Sequence, residues 1–410
     1  MKSYAHLTVA TCLGLLLASP ALAYDLKDAF GEDYGAVTGD IRVRWEQLQQ
    51  DGKRHDATAS TFRARLGYLT PVWNGLSAFG EIETIRSFGP GGYNDGINNH
   101  TGYPGINDPQ DNGVNQLYMT YKNDDVGQAR VGRQVITFDN QRFVGRSNFR
   151  QNDTTYDGVN LSTDKLFGWN LTYVNTYKIN RGLGTRADGG RYDGDMNFFH
   201  AQRDLPWDIN LALYTYLFNI EDNTNLSTRT HGGRAQWTPK DIIPGSTWQP
   251  LATAEVAVQS DFTNNPRQYT QFYQSYELGM HQDKLKLSGE FDSLGGNGYA
   301  AVQTPAASFH CQNGCVDKFT TTPLNGLEDA RVQASVPLPF VPASQSLSFD
   351  TAAHYFHSTV HDQHYGNEVD ATLSYSPWKD QTISASAGRY AADQLMTDTT
   401  MVYVSYELKF

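Results

Sequence analysis

The stretch Thr400-Met401-Val402-Tyr403-Val404-Ser405-Tyr406-Glu407-Leu408-Lys409-Phe410 alternates from end to end. Counting back by twos from Phe410 gives Leu408, Tyr406, Val404 and Val402, all apolar or aromatic. The intervening set, Lys409, Glu407, Ser405, Tyr403 and Met401, is far more polar. A side-chain period of two puts the sets on opposite faces of a strand, one suited to hydrocarbon and one to water. Bacterial outer-membrane barrels end on such a strand. Val402, Val404, Tyr406, Leu408 and Phe410 are then the signal read by the barrel-assembly machinery, and the chain is expected to be one barrel wall from end to end.

The N-terminal region agrees. Lys2 gives a short positive start, residues 7–18 are apolar, and Ala21-Leu22-Ala23 is a small-x-small cleavage site. This pattern predicts a Sec-type signal peptide over 1–23 and a barrel over 24–410, exported through the periplasm to the outer membrane. No Cys follows the site, which argues against a lipoprotein. Beyond residue 23 no apolar run reaches the length of a spanning helix. A mean hydropathy of -0.53 is no objection, because only alternate residues of a barrel face lipid. The 24 Tyr and 37 Gly suit aromatic girdles and many turns.

The chain carries 32 Lys and Arg against 44 Asp and Glu, and an acidic balance argues against nucleic-acid binding. Cys12 leaves with the signal, so the Cys-x-x-x-Cys pair Cys311 and Cys315 is expected to close a loop disulfide in an oxidising compartment. Two thiolates alone are a poor metal site, and no cofactor is expected.

The first strand reads clearly over 39–46, with Ile41, Val43 and Trp45 on one face and Asp40, Arg42, Arg44 and Glu46 on the other. The second, over 61–69, puts Phe62, Ala64, Leu66 and Tyr68 outward and Arg63, Arg65 and Gly67 inward. The third, over 76–86, alternates Leu76, Ala78, Gly80 and Ile82 with Ser77, Phe79, Glu81 and Glu83. Further strands fall near 114–122, 128–137, 155–163, 168–178, 196–204, 208–218, 228–238, 251–260, 268–281 and 284–292. Five more lie near 327–337, 346–357, 365–376, 381–391 and 399–410. The expected fold is all-β, a single transmembrane antiparallel barrel of eighteen strands, with sixteen as the competing count. Short turns, such as 70–75 and 164–167, alternate with longer polar loops at 87–113, 138–154, 179–195 and 293–326. That is the pattern of periplasmic turns and extracellular loops. The segment 24–37 is too short for the plug of an energy-coupled receptor.

Residues 60–160 carry a distinctive set of segments. They include Thr61-Phe62-Arg63-Ala64-Arg65-Leu66-Gly67-Tyr68, Phe79-Gly80-Glu81-Ile82-Glu83, Tyr93-Asn94-Asp95-Gly96 and Asn115-Gln116-Leu117-Tyr118. The longest runs from Gly132-Arg133-Gln134 through Asp139-Asn140-Gln141-Arg142-Phe143-Val144-Gly145 to Phe149-Arg150-Gln151-Asn152. Together they resemble the alginate-export-type outer-membrane family. The resemblance implies an eighteen-stranded barrel, and it supports the fold more than the cargo.

Parity places Arg42, Arg44, Arg63, Arg65, Glu81 and Glu83 on the water-facing side. One reading is an arginine ladder that attracts anions while carboxylates orient them; the other is cross-strand ion pairing that stiffens a wet wall. Arg133 shares parity with Val131, which would place it toward lipid at a cost of roughly 2–4 kcal/mol near the midplane. A bulge or strand exit returning it to the lumen is the expectation. Arg142, Arg146 and Arg150 would suit a loop folded into the pore, offering guanidinium groups to carboxylates. Phe143 and Phe149 are expected mostly as girdle residues, with a sugar-ring track as the alternative.

His354, His357, His361 and His364 are spaced as metal ligands on a helix would be, but they fall on a strand end, a loop and a strand start. Ser358 beside them does not make a triad. Gly89-Pro90-Gly91-Gly92 lacks the Lys-Ser/Thr of a phosphate loop. Asp95, Asp108 and Asp111 match no EF-hand spacing. No catalysis is assigned; an enzyme barrel using the 354–364 histidines is the lowest-ranked alternative. The expected function is passive diffusion or export of anionic or hydroxyl-rich solutes, with a general porin as alternative. Expected partners are outer-membrane lipid and lipopolysaccharide, the assembly machinery, the solute and, for export, periplasmic proteins. The protein is expected to be monomeric.

Overall fold

A computed structural model describes residues 34–89, 91–240 and 242–410. The signal-peptide reading of 1–23 lies outside the described residues. The strands are β1 (Ala36–Gln50), β2 (Ala57–Leu69), β3 (Leu76–Ser87), β4 (Asp111–Asn123), β5 (Gly127–Gln134) and β6 (Thr155–Leu166). They continue as β7 (Trp169–Asn180), β8 (Arg191–Leu205), β9 (Ile209–Ile220), β10 (Thr228–Trp237), β11 (Gln249–Asp261) and β12 (Thr270–Gln282). The last six are β13 (Leu285–Leu294), β14 (Leu327–Pro337), β15 (Ser346–His357), β16 (His364–Ser376), β17 (Gln381–Ala392) and β18 (Thr399–Lys409). Each pairs antiparallel with its chain neighbours, and β1 pairs with β18 from Asp40↔Lys409 to Gln50↔Thr399, closing an 18-stranded sheet. The count is therefore eighteen and not sixteen. Closure leaves no strand edge unpaired in hydrocarbon.

The alternation read from the sequence is the inside–outside pattern of the wall. Leu66, Ile82, Leu117 and Leu278 stand outward, 53–70% exposed, where lipid would cover them. Inside, the largest fully buried side chains include Arg44, Arg63, Tyr156, Tyr216 and Tyr273. The interior is thus a polar and aromatic lumen rather than an aliphatic core. Pairing shifts by a residue at β-bulges, as between Glu81 and Ile82 opposite β4 and between Asp157 and Gly158 opposite β7. Period-two counting does not see such insertions.

The short turns are tight. Asn74 and Gly75, and Phe167 and Gly168, have positive φ, the backbone of two-residue hairpin turns whose twist matches the strands; the three-residue turn 206–208 also has positive φ at Trp207 and Asp208. Trp73, Phe167 and Trp207 project at this rim, as interfacial aromatics do.

The seam between the first and last strands has a steric signature. The Gly39 amide donates to the Phe410 carbonyl at 2.8 Å and the Phe410 amide to the Gly39 carbonyl at 3.0 Å. The Phe410 ring lies across Gly39, where a Cβ would come within 2.1 Å of it. Gly39→Leu is therefore expected to lower the yield of closed barrel, read as heat-modifiable migration on a gel. An undiminished folded fraction would show that the ring's seat is dispensable.

Candidate functional site

The inward arginines of β1 and β2 do not stand free in the pore. Arg42 Nη1 donates to the Asn148 carbonyl at 2.7 Å and its Nη2 pairs with Glu407 at 2.6 Å. Arg44 is bound to Asp108 and to the Phe149 carbonyl. Arg63 pairs with Asp40 at 2.5 Å and Glu407 at 3.0 Å, and reaches the Gln151 carbonyl. Arg65 pairs with Glu83 at 2.5 Å and Asp153 at 2.8 Å, and donates to the same carbonyl at 3.0 Å. All four are buried. Taking a guanidinium out of water costs several kcal/mol unless its donors are matched, and five N–H groups need several acceptors. The wall supplies some, and loop 135–154 supplies the rest through its own carbonyls. Glu81, by contrast, accepts from Asn115 at 2.6 Å. Of the two readings of the ladder, these contacts are those of ion pairing, extended from the wall to a loop that the arginines clamp.

That loop crosses the lumen. At its far end Phe143 meets Tyr273 edge-on at 5.3 Å, and Phe138 stacks on His200 at 4.6 Å. Arg142 pairs with Asp292 at 2.6 Å and donates to Asn313 at 2.6 Å. Arg150 pairs with Glu46 at 3.1 Å, and Arg146 with Asp153 at 2.8 Å. Phe143 and Phe149 are thus lumenal packing residues and not girdle residues, because the loop that carries them turns inward.

Loop 295–326 joins it. The Gly145 amide donates to the Ala306 carbonyl at 2.8 Å and the Ser308 amide to the Gln141 carbonyl at 3.0 Å. A Cβ on Gly145 would lie 2.8 Å from the Ser308 nitrogen, so the approach requires glycine. Cys311 and Cys315 are disulfide-bonded. The wall holds the closed ring through the Cys315 amide on Asp370 at 3.1 Å and the Val316 amide on Glu368 at 2.7 Å. His310, one residue before the ring, stacks on Phe149 with centroids 3.4 Å apart.

The two loops leave two chambers of about 390 Å³ each. The outer one, at the long-loop end, is lined among others by Arg150, Arg181, Phe309, Asp317 and Lys318. The inner one is lined by Arg42, Arg146, Ser308, Ser384, Tyr403 and Ser405. Arg181 and Lys318 were not singled out in the sequence. Arg181 lies over the rings of Tyr192 and Phe309 and donates to the Gly189 carbonyl at 2.6 Å; Lys318 donates to Thr399 at 2.9 Å. Among the described residues neither makes an ion pair with a carboxylate. Burial lowers the pKa of both below the usual values for Arg and Lys. Their signal was invisible because each lies in an unpatterned loop.

Arg133 stands at the end of its strand. Its neighbour Gln134 is fully buried opposite Tyr156, whose hydroxyl donates to the lumenal Gly145 carbonyl at 2.9 Å. Alternation aligns Arg133 with Val131, yet at the strand end it lines a small cavity with Glu83, Asn152 and Asp153. It sits one residue from the strand end and is neutralised by Asp157 at 2.7 Å, which removes the midplane penalty that argued for a lumenal position.

The histidines do not converge on one point. His354 is lumenal, on Asp329 at 3.0 Å, while His357 contacts Asp362 at 3.4 Å and His364 contacts Asp393 at 2.9 Å. His310, Cys311 and Cys315 lie close enough to suggest a metal, but the disulfide occupies both sulfurs.

Residues 93–180 match the family described as alginate export. This span holds strands β4 to β7 and most of the lumenal loop machinery, including Asp108 and Asp153. No curated protein matches the chain. Among solved structures, Acinetobacter baumannii OccAB4 is similar with a TM-score of 0.68 at 11% identity, covering 91% of this chain and 98% of that one. Pseudomonas aeruginosa OccK9 (OpdG) gives 0.69 at 11%, covering 91% and 98%. Pseudomonas aeruginosa OpdK with vanillate gives 0.65 at 12%, covering 91% and 99%; OpdK is described as an outer membrane protein. At such identities the likeness is one of fold, and the chain has the architecture of these outer-membrane porin barrels.

Two outcomes follow from the clamp. Arg65→Ala leaves buried Glu83 without its cation and Asp153 with Arg146 alone, and an uncompensated buried charge costs about 3–5 kcal/mol. Loop 135–154 should become open to protease while the heat-modifiable barrel persists; an unchanged cleavage pattern would deny Arg65 its anchoring role. Burial raises the Asp153 carboxyl, but Arg65 and Arg146 outweigh it and hold the group at about 2, from 3.8. A depressed pKa gives stability that is complete above the unfolded value and lost as pH falls through the folded one, here roughly 2 kcal/mol. Amide exchange at Asn148–Asp153, corrected for intrinsic rate, should accelerate between about pH 4 and pH 2 and stay flat from pH 7 to 5.

Proposed function

We propose that the protein is an outer-membrane channel through which small anionic or hydroxyl-rich solutes diffuse, uronates and related carbohydrates or organic acids among them. The observation that carries this reading is the outer chamber. Arg181 and Lys318 line it without a carboxylate partner among the described residues, beside the Phe309 ring. An uncompensated cation in a low-dielectric recess draws an anion far more strongly than a neutralised pair does. The inner chamber then offers hydroxyls from Ser308, Ser384, Tyr403 and Ser405 beside the paired side chains of Arg42, Arg146 and Glu407, a lining suited to sugar hydroxyls. OpdK, of like fold, was solved with vanillate, itself a small carboxylate.

Chambers of this size, with both loops docked, favour small solutes over a threaded polymer. The acidic total charge is no obstacle, since selection is local to the chambers. In this reading residues 1–23 are the export signal, the Val402–Phe410 strand is presented to the assembly machinery, and one chain makes one pore. No residue is given a catalytic role.

In planar bilayers the refolded protein should give an anion-preferring reversal potential and be blocked by oligo-uronates at lower concentration than by neutral sugars. Arg181→Gln with Lys318→Gln should raise the blocking concentration about tenfold, on the order of 1.4 kcal/mol. Equal block by neutral sugars, or by uronates in the double variant, would remove the anionic cargo and leave a general porin.

A further inference from the structure

The two chambers have Phe149 and His310 as their shared lining residues. The rings lie 3.4 Å apart at the centroids and 8° from parallel. Arg44 and Arg150 sit against Phe149 at 4.6 and 4.7 Å, and Tyr403 closes its edge at 5.2 Å. We propose that this stacked pair is the gate of the pore, the wall that a solute must open to pass from the outer chamber to the inner one. The proposal rests on the channel reading above.

The construction says which atoms move. The backbone at Phe149 is held, because its carbonyl accepts from Arg42 and Arg44, and the neighbouring Asn148 and Gln151 carbonyls are clamped as well. The other ring is held from its own loop: the disulfide closes Cys311 to Cys315, and Asp370 and Glu368 grip the amides that follow. Neither loop is free to swing out of the lumen. The His310 side chain, by contrast, is tethered by Asp317 alone, at 3.1 Å from Nδ1. Opening is therefore a side-chain event, His310 rotating off Phe149 without displacement of either backbone, and partly exposed rings make such rotations rapidly.

A solute leaving the outer chamber meets this pair directly after the cations. Charge attracts it and ring rotation admits it, so the barrier and the attractor are separate parts. An arrangement in which the arginines themselves formed the narrowest point would tie passage rate to affinity; here the two can vary independently.

The test is single-channel conductance in planar bilayers for the full-length mature chain, for Phe149→Ala, His310→Ala and the double variant, each confirmed as barrel by heat-modifiable migration. Phe149→Leu and His310→Gln provide milder variants should the alanines fold poorly. The expected result is a severalfold rise in conductance or open probability for either alanine variant. The double variant should match the singles, because either truncation breaches the same wall. A conducting wild type whose variants conduct equally would overturn the gate and leave the channel reading standing. A silent wild type with conducting variants supports both. Silence in all four folded proteins would overturn the gate and the channel reading together.

Discussion

Four guanidinium groups packed side by side on the inner faces of β1 and β2 set the terms for everything inside this barrel. Arg42, Arg44, Arg63 and Arg65 lie close enough to repel one another and are nearly sealed from water. Carboxylates from the wall, Asp40, Glu83 and Glu407, balance part of that charge but cannot take every N–H. The missing acceptors are backbone carbonyls at 148–151 together with Asp108 and Asp153. A loop that might have stood in solvent above the pore is thereby drawn into it, since leaving it outside would strand buried charge.

Once that loop lies across the lumen, the opposite wall is fixed in turn. Arg142 reaches Asp292 and Asn313, and Asp292 also holds Arg331 at 3.2 Å. Asn313 belongs to the disulfide-closed ring of the second loop, so the two loops share anchors on β13 and β14 as well as their direct backbone bonds. Phe138 and Phe143 add aromatic packing against the wall of β8, β9 and β12. The interior therefore behaves as one cross-braced body. Charge pairs locate it, ring contacts fill it, and the two chambers are the space the bracing leaves.

The wall was legible in the sequence and its contents much less so. Alternation of side chains is local, so Ile41, Val43 and Trp45 against Arg42 and Arg44 fixed the inner and outer faces without knowledge of the partner strand. Hairpin punctuation such as Asn74-Gly75 located the turns. The loops obey no period. Phe149 reads the same whether it anchors in lipid or stacks on His310, because the choice depends on contacts more than a hundred residues apart in sequence. The arginine ladder was seen with two readings open for a related reason: parity gives the face of a side chain, and only the fold reveals that Asp108 and Asp153 come to meet it. Arg181 and Lys318 passed unnoticed because an unpartnered cation is defined by what is absent around it. Arg133 turned on one local fact, that β5 ends at Gln134, which brings it to the small cavity beside Glu83 and Asp153.

An acidic chain with a cationic passage is not a contradiction once charge is divided by location. Most inward arginines are cancelled within a few ångströms, and at an effective dielectric near that of a protein surface a cancelled pair has little reach. The clamp therefore adds rigidity and contributes little to the field along the pore. In the proposed channel, what would reach a solute is the remainder among the described residues, Arg181 and Lys318 at the outer chamber. Free arginines would have attracted anions more broadly, but they would have left loop 135–154 unanchored and the lumen without its chambers. On the proposed reading, using its strongest cations as structure would confine attraction to the outer chamber, from which a solute would approach Phe149 and His310.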